Sequence, residues 1–129
     1  MYPQEAPMRP PLLMSAEGQD QLYALADAAA PRQPLVARLL AEEADRSEVV
    51  DHVPAHVVAL GSRVEFRDES TGETRQARLV LPGEADIAEG RISVLSLVGA
   101  GLIGLSEGQS IDWPTVDGRM RRLSVLSVG

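Results

Sequence analysis

The spacing of apolar residues changes once along this chain, at Val53-Pro54, and that change limits the fold more than any other feature. Before it, Leu22, Leu25, Ala26 and Ala29 follow the i, i+3, i+4, i+7 stripe of a helix, and Leu35, Val36, Leu39 and Leu40 begin a second stripe. Ser15 is placed to cap the first helix. Ala30-Pro-Arg-Gln-Pro34 separates the two, because the residue before a proline is driven out of the α region. Two stripes joined by a short proline turn predict an antiparallel helical hairpin, a short coiled coil over residues 15–52. Each arm is about 14 residues, roughly 21 Å. So short a pair is marginal by itself, so its base is expected to lean on the rest of the chain.

Beyond Pro54 the period falls to two. His56–Leu60, Arg63–Arg67, Thr74–Leu81, Arg91–Leu95, Gln109–Trp113 and Arg119–Val128 read as strands. Turn signals separate them, among them Asp68-Glu-Ser-Thr-Gly72, Pro82-Gly83 and Val116-Asp-Gly-Arg119. The expectation is an α+β domain over residues 53–129, an antiparallel sheet with one short helix on a face. Residues 1–14 are proline-rich and lack the apolar core of a signal peptide, so they read as a flexible tail.

Gly99-Ala-Gly-Leu-Ile-Gly104, after an apolar run, has the spacing of a dinucleotide fingerprint. That fingerprint needs a strand–helix–strand unit of about 30 residues with an acid about 20 residues on. Only 25 residues follow Gly104, Ser106-Glu-Gly-Gln109 is already a turn, and Asp117 sits in a hairpin signal. The alternative reading is a short helix pressed so closely on the sheet that Cβ atoms are unwelcome. Glycine in a helix costs about 1 kcal/mol against alanine, so close packing has to compensate.

The chain has no cysteine, which excludes disulfides and thiolate chemistry. All its Lys and Arg are Arg, and its net charge is −7. Nine acids and four arginines lie in residues 1–52, ten acids and eight arginines in 53–129. That balance argues against general nucleic-acid binding and for a basic protein surface as partner. No run reaches the 18 or so apolar residues of a membrane span. A cytoplasmic protein with no membrane partner is expected. His52 and His56 flank Pro54 and do not share a helical face, so they read as linker residues rather than a metal pair. Glu42, Glu43 and Asp45 fan around the helix and read as a solvated face. Arg119, Arg121 and Arg122 read as solubilising charge on an edge strand, with contact to a partner or to RNA as the alternative.

Several motifs carry a family resemblance: Val58-Ala-Leu-Gly-Ser-Arg-Val64, Thr71-Gly-Glu73, Leu79-Val-Leu-Pro82, Glu84-Ala-Asp86, Ile92-Ser-Val-Leu-Ser96, and Val98-Gly-Ala-Gly-Leu-Ile-Gly104 followed by Glu107-Gly108. In order and spacing they resemble the C-terminal domain of the bacterial Gre transcript-cleavage factors and the related regulators of nucleoside diphosphate kinase. The resemblance covers about residues 56–128. It implies an FKBP-like curved antiparallel sheet around a short helix. It implies RNA polymerase as partner, with Ser96, Leu97, Val98 and Gly99 as contact candidates beside the secondary-channel rim. Two departures stand out: Leu97 occupies a position where the family has proline, and Gln109 one where it has aspartate.

In the Gre factors, acids at the tip of a long coiled coil help hold a second Mg²⁺, a task that needs carboxylates. Here the tip is Pro31, Arg32, Gln33 and Pro34, without an acid, on short arms. The expected protein is therefore not an enzyme. It has no catalytic residue, cofactor or metal, and acts as a monomer without sequence-specific nucleic-acid contact, competing with cleavage factors. The alternatives are an active cleavage factor and an adaptor affecting nucleoside diphosphate kinase. Prolyl isomerase chemistry, suggested by the fold's name, lacks an aromatic pocket, since this half offers only Phe66 and Trp113. Nothing orients a Ser-His-Asp triad.

Overall fold

Ser15 starts the helical region as its side chain predicts. In this computed structural model, which describes residues 9–129, its Oγ accepts the Gly18 N–H at 2.9 Å and helix α1 runs Ala16–Ala29. Helix α2 runs Pro34–Arg46, with the proline in the first turn, where the missing N–H breaks no bond. Near the turn the two helices meet through Ala26, Ala29 and Ala37, with Leu95 of the following domain packed against this cluster. At the base, Leu22, Leu39, Leu40 and Ala44 belong to the same core as Val58, Leu79 and Trp113. The hairpin leans on the domain as its length requires.

Three local expectations change here. Strand β1, Leu13–Met14, pairs in parallel with β2, Glu48–Val49, and Leu12 is wholly buried. The tail expected over residues 1–14 therefore does not reach residue 14, because Leu12 and Met14 join the core, and its first eight residues lie outside the described ones. Second, Glu43 is not on a solvated face. It is fully buried and receives a forked pair of bonds from Arg46, at 2.9 and 2.8 Å, plus Arg9 at 3.3 Å. Burial of a carboxylate is tolerable only with such partners. Third, His56–Leu60 is not a strand. Only Val57 makes a bridge, to Ser106. The segment's apolar residues Val57 and Val58 are buried by packing instead.

The main sheet contains β3 (Arg63–Asp68), β4 (Glu73–Val80), β5 (Arg91–Ser93), β6 (Ser110–Pro114) and β7 (Met120–Val128), in the order β5-β4-β3-β7-β6. Three pairings are antiparallel, but β4–β5 is parallel, so the sheet is mixed rather than wholly antiparallel. The chain reverses between them through two short 3-10 turns, Pro82–Glu84 and Ile87–Glu89. Strand β7 lies between β3 and β6, so Arg121 and Arg122 are not on an edge strand. Their charges are matched across the sheet, Arg121 to Asp68 at 3.2 Å and Arg122 to Asp112 at 2.9 Å. Helix α3, Leu97–Leu102, crosses the inner face, where Val64, Phe66, Leu79, Ile111, Leu123 and Val125 form the floor of the core.

Candidate functional site

Helix α3 shows what the three glycines are for. Its cap, Ser96, accepts the Gly99 N–H at 3.0 Å and donates to the Ser93 carbonyl at 2.6 Å. A Cβ on Gly99 would stand 2.1 Å from that same Ser93 oxygen. A Cβ on Gly101 would stand 2.9 Å from the indole of Trp113. Gly104 has φ +83° and faces Leu12. Trp113, fully buried, donates its indole N–H to the Leu97 carbonyl at 2.6 Å. The strands flanking α3, β5 and β6, sit at opposite edges of the sheet. They form no parallel strand–helix–strand unit, which is what a dinucleotide site requires.

The start of α3 also forms the floor of an open cleft of about 820 Å³, with Phe66, Ile92, Leu97 and Val98 as its apolar lining. Two lips stand over it. Ile87, on the crossover from β4 to β5, is 80% exposed, and Val116, on the β6–β7 turn, is 89% exposed. Met120 is half exposed on the same side. Arg75, Arg119 and Arg121 line its edge. Asp68, behind Arg121, is held below the usual carboxylate range, first by the Ser70 hydroxyl, with Arg121 assisting. Asp117 is lowered likewise by the Thr115 hydroxyl. The cleft thus joins an aliphatic floor to exposed aliphatic lips, with arginines at its edge. The hydroxyl–carboxylate pairs at its edge, Ser70 with Asp68 and Thr115 with Asp117, belong to the β3–β4 and β6–β7 turns.

Of the contact candidates, Ser96, Leu97 and Val98 line this cleft, whereas Gly99 lies buried beneath it. The tip residues Pro31, Arg32, Gln33 and Pro34 are exposed and take no part in it. His52 and His56 are exposed on the linker. Leu97 occupies the first helical position, where no N–H is needed for the helix ladder. Leucine in place of proline therefore leaves the α3 start intact. Sequence reasoning missed Ile87, Val116 and Met120. Their only signal was an apolar residue inside a polar turn, as in Asp86-Ile-Ala-Glu89 and Thr115-Val-Asp-Gly118.

A family model for the C-terminal domain of the transcription elongation factors GreA and GreB matches residues 53–129. The chain belongs to the GreA/GreB family. Among relatives of this family member, the regulator of nucleoside diphosphate kinase of Escherichia coli K12 is 38% identical over 95 residues, covering 72% of this chain and 70% of the relative. The elongation factor GreA of Syntrophobacter fumaroxidans is 46% identical over 68 residues, covering 53% of this chain and 43% of that protein. The chain thus spans less than half of that GreA. A solved structure, a prokaryotic transcription elongation factor GreA/GreB from Nitrosomonas europaea, superposes with a TM-score of 0.68 at 33% identity, covering 91% of this chain and 98% of the other. The curved sheet and helical hairpin are therefore a family fold. Among the described residues, no helix is long and apolar enough to cross a membrane.

Proposed function

We propose that this family member is a non-enzymatic transcription regulator. It binds RNA polymerase at the secondary-channel rim through the cleft and competes there with longer Gre cleavage factors. The observation that carries this reading is the pair of exposed aliphatic lips, Ile87 and Val116, standing over Ser96–Val98. Exposed aliphatic side chains on both sides of one cleft gain from burial against a partner. The absence of transcript cleavage rests on the tip, Ala30-Pro-Arg-Gln-Pro34, which offers no carboxylate to a second metal. It rests also on arm length, since α1 has 14 residues and α2 has 13.

A pull-down with purified polymerase tests the first claim. The wild-type chain is retained, and Ile87→Asp with Val116→Asp is not. Retention of the double variant would remove the cleft from the interface. On backtracked complexes the chain leaves transcripts uncut and slows cleavage stimulated by a Gre factor. Faster shortening than in buffer would replace this reading with that of an active cleavage factor. A second reading is favoured by the 38% identity to a protein named for regulating nucleoside diphosphate kinase. In that case the cleft takes the kinase, and the same pull-down with purified kinase in place of polymerase separates the two.

A further inference from the structure

Residues 9–14, ahead of α1, form a strap bonded on both sides. On one side the Leu12 carbonyl accepts the Glu48 N–H at 2.8 Å and the Met14 carbonyl accepts that of Val50 at 2.9 Å, which laces the strap to the end of the hairpin. On the other side the Leu13 N–H donates to the Gly104 carbonyl at 3.1 Å, just past α3. Side chains repeat this pattern. Leu12 and Met14 enter a core shared by Leu22, Leu39 and Leu40 of the hairpin and by Leu102 and Ile103 of the domain. Arg46, in the last turn of α2, donates to the Pro10 carbonyl at 2.6 Å.

Gly104 is the seat of this strap. A Cβ there would stand 3.1 Å from the Leu12 Cβ and 3.4 Å from the Met14 Cε, whereas Gly99 and Gly101 make room for Ser93 and Trp113. Its φ of +83° is a conformation that glycine adopts freely. The covalent link between the two bodies is looser. Residues 51–55 lead from hairpin to domain with Asp51, His52 and Ala55 exposed, and the Val57 N–H bonds back to the Pro54 carbonyl within the same stretch. A short exposed link of this kind can absorb a change of direction. The ladder between strap and β2 is two residue pairs long. Short ladders near a chain start open before core strands do. Opening does not strand the buried Glu43 carboxylate, because its forked pair of bonds comes from Arg46 within α2 itself.

We propose that residues 9–14 are a latch. Closed, it fixes the direction in which the hairpin leaves the domain. Open, it lets the hairpin turn about residues 51–55 while both helices and the main sheet stay folded. The latch is a property of the chain alone and does not depend on which partner the cleft takes.

Two measurements on the full chain, without polymerase, test it. In amide hydrogen exchange of the wild type, the Leu13, Glu48 and Val50 N–H groups share one protection factor, at least about tenfold below those of Leu79 and Val125 in the sheet and Leu40 in α2. Equal protection would make the strap part of the core's cooperative unit and overturn the latch. The second measurement reads direction. The chain has no cysteine, so Arg32→Cys at the exposed tip and Glu69→Cys on the exposed β3–β4 turn take two spin labels and no others. Electron–electron double resonance then gives one narrow distance distribution. Leu12→Ser with Leu13→Pro removes a core side chain and the donor to Gly104, and at least doubles the width; Gly104→Val, which fills the seat, does the same. Unchanged helix content by circular dichroism separates unlatching from unfolding. If helix content falls in both variants, the wild-type exchange pattern decides. A width that survives both substitutions would mean that α2 packed on α3 sets the direction, and a broad wild-type distribution would mean that no direction is held; either overturns the proposal.

Discussion

Along strand β3, Val64 and Phe66 face the core and are almost wholly buried, while Arg63, Glu65 and Arg67 face the other way toward arginines, serines and a glutamine. One alternating stretch of six residues thus supplies two surfaces with opposite constraints. On the inner side, α3 lies so close that two of its glycines have no room for a methyl group, and a tryptophan nitrogen fixes the helix start. On the outer side, Arg63, Arg67 and Arg78 are exposed among the described residues. Stability is therefore concentrated on one side of the sheet, and the other is left free to carry charge.

Substitutions separate the two faces by size of effect. The largest is expected for Gly99→Ala, whose new Cβ would meet a backbone carbonyl that cannot swing away. A loss of about 3 kcal/mol is expected from urea unfolding. An unchanged midpoint would mean that α3 is not held as tightly as the comparison requires. Next comes Trp113→Phe, which keeps a ring under Gly101 but leaves the Leu97 carbonyl without its donor. About 2 kcal/mol should be lost, from the hydrogen bond and the vacated volume together. A loss below about 0.5 kcal/mol would show that the indole N–H does not fix the helix start.

A smaller effect is expected from Asp68, which ties the β3–β4 turn to Arg121 on β7. Its folded pKa is depressed, so its contribution is complete above the unfolded value of about 3.9 and is lost as pH falls through the folded value. Asp68→Asn should therefore flatten the acid limb of stability against pH, measured by thermal midpoints between about pH 2 and 5. An identical acid limb would remove Asp68 from the balance. The smallest effect belongs to the outer face. Arg78→Thr should change stability by no more than about 0.5 kcal/mol, in the stabilising direction, because Arg78 lies between Arg63 and Arg91 in the strand registers and the change breaks that row of like charges. A loss as large as that of Trp113→Phe would erase the distinction between the faces.

How much of this was legible follows from the range of the interactions. Ser15, the prolines around Arg32 and the heptad-like leucines act within a turn or two of chain, and the hairpin formed where they placed it. The two helix glycines, Gly99 and Gly101, were legible as a packing demand, since no other local reason accounts for two in so short a helix. His56–Leu60 misled because buried valines look alike in a strand and in a packed loop. Glu43 misled because its partners are Arg46, one turn on, and Arg9, which reaches it only when the chain start folds back. The cleft was half legible. Ser96–Val98 came through family resemblance, whereas Ile87 and Val116 meet over them only after the sheet curls.

The sequence alone determined the hairpin, the change to a sheet, the close-packed glycine helix and a tip without carboxylates. Each depends on covalent geometry, periodicity or the presence of a functional group. The tertiary structure decided which strands are neighbours, and with them the parallel β4–β5 pair, the central place of β7, the two lips of the cleft and the arginine row. Register between strands distant in sequence is set by burying one shared core, and no local segment contains that information.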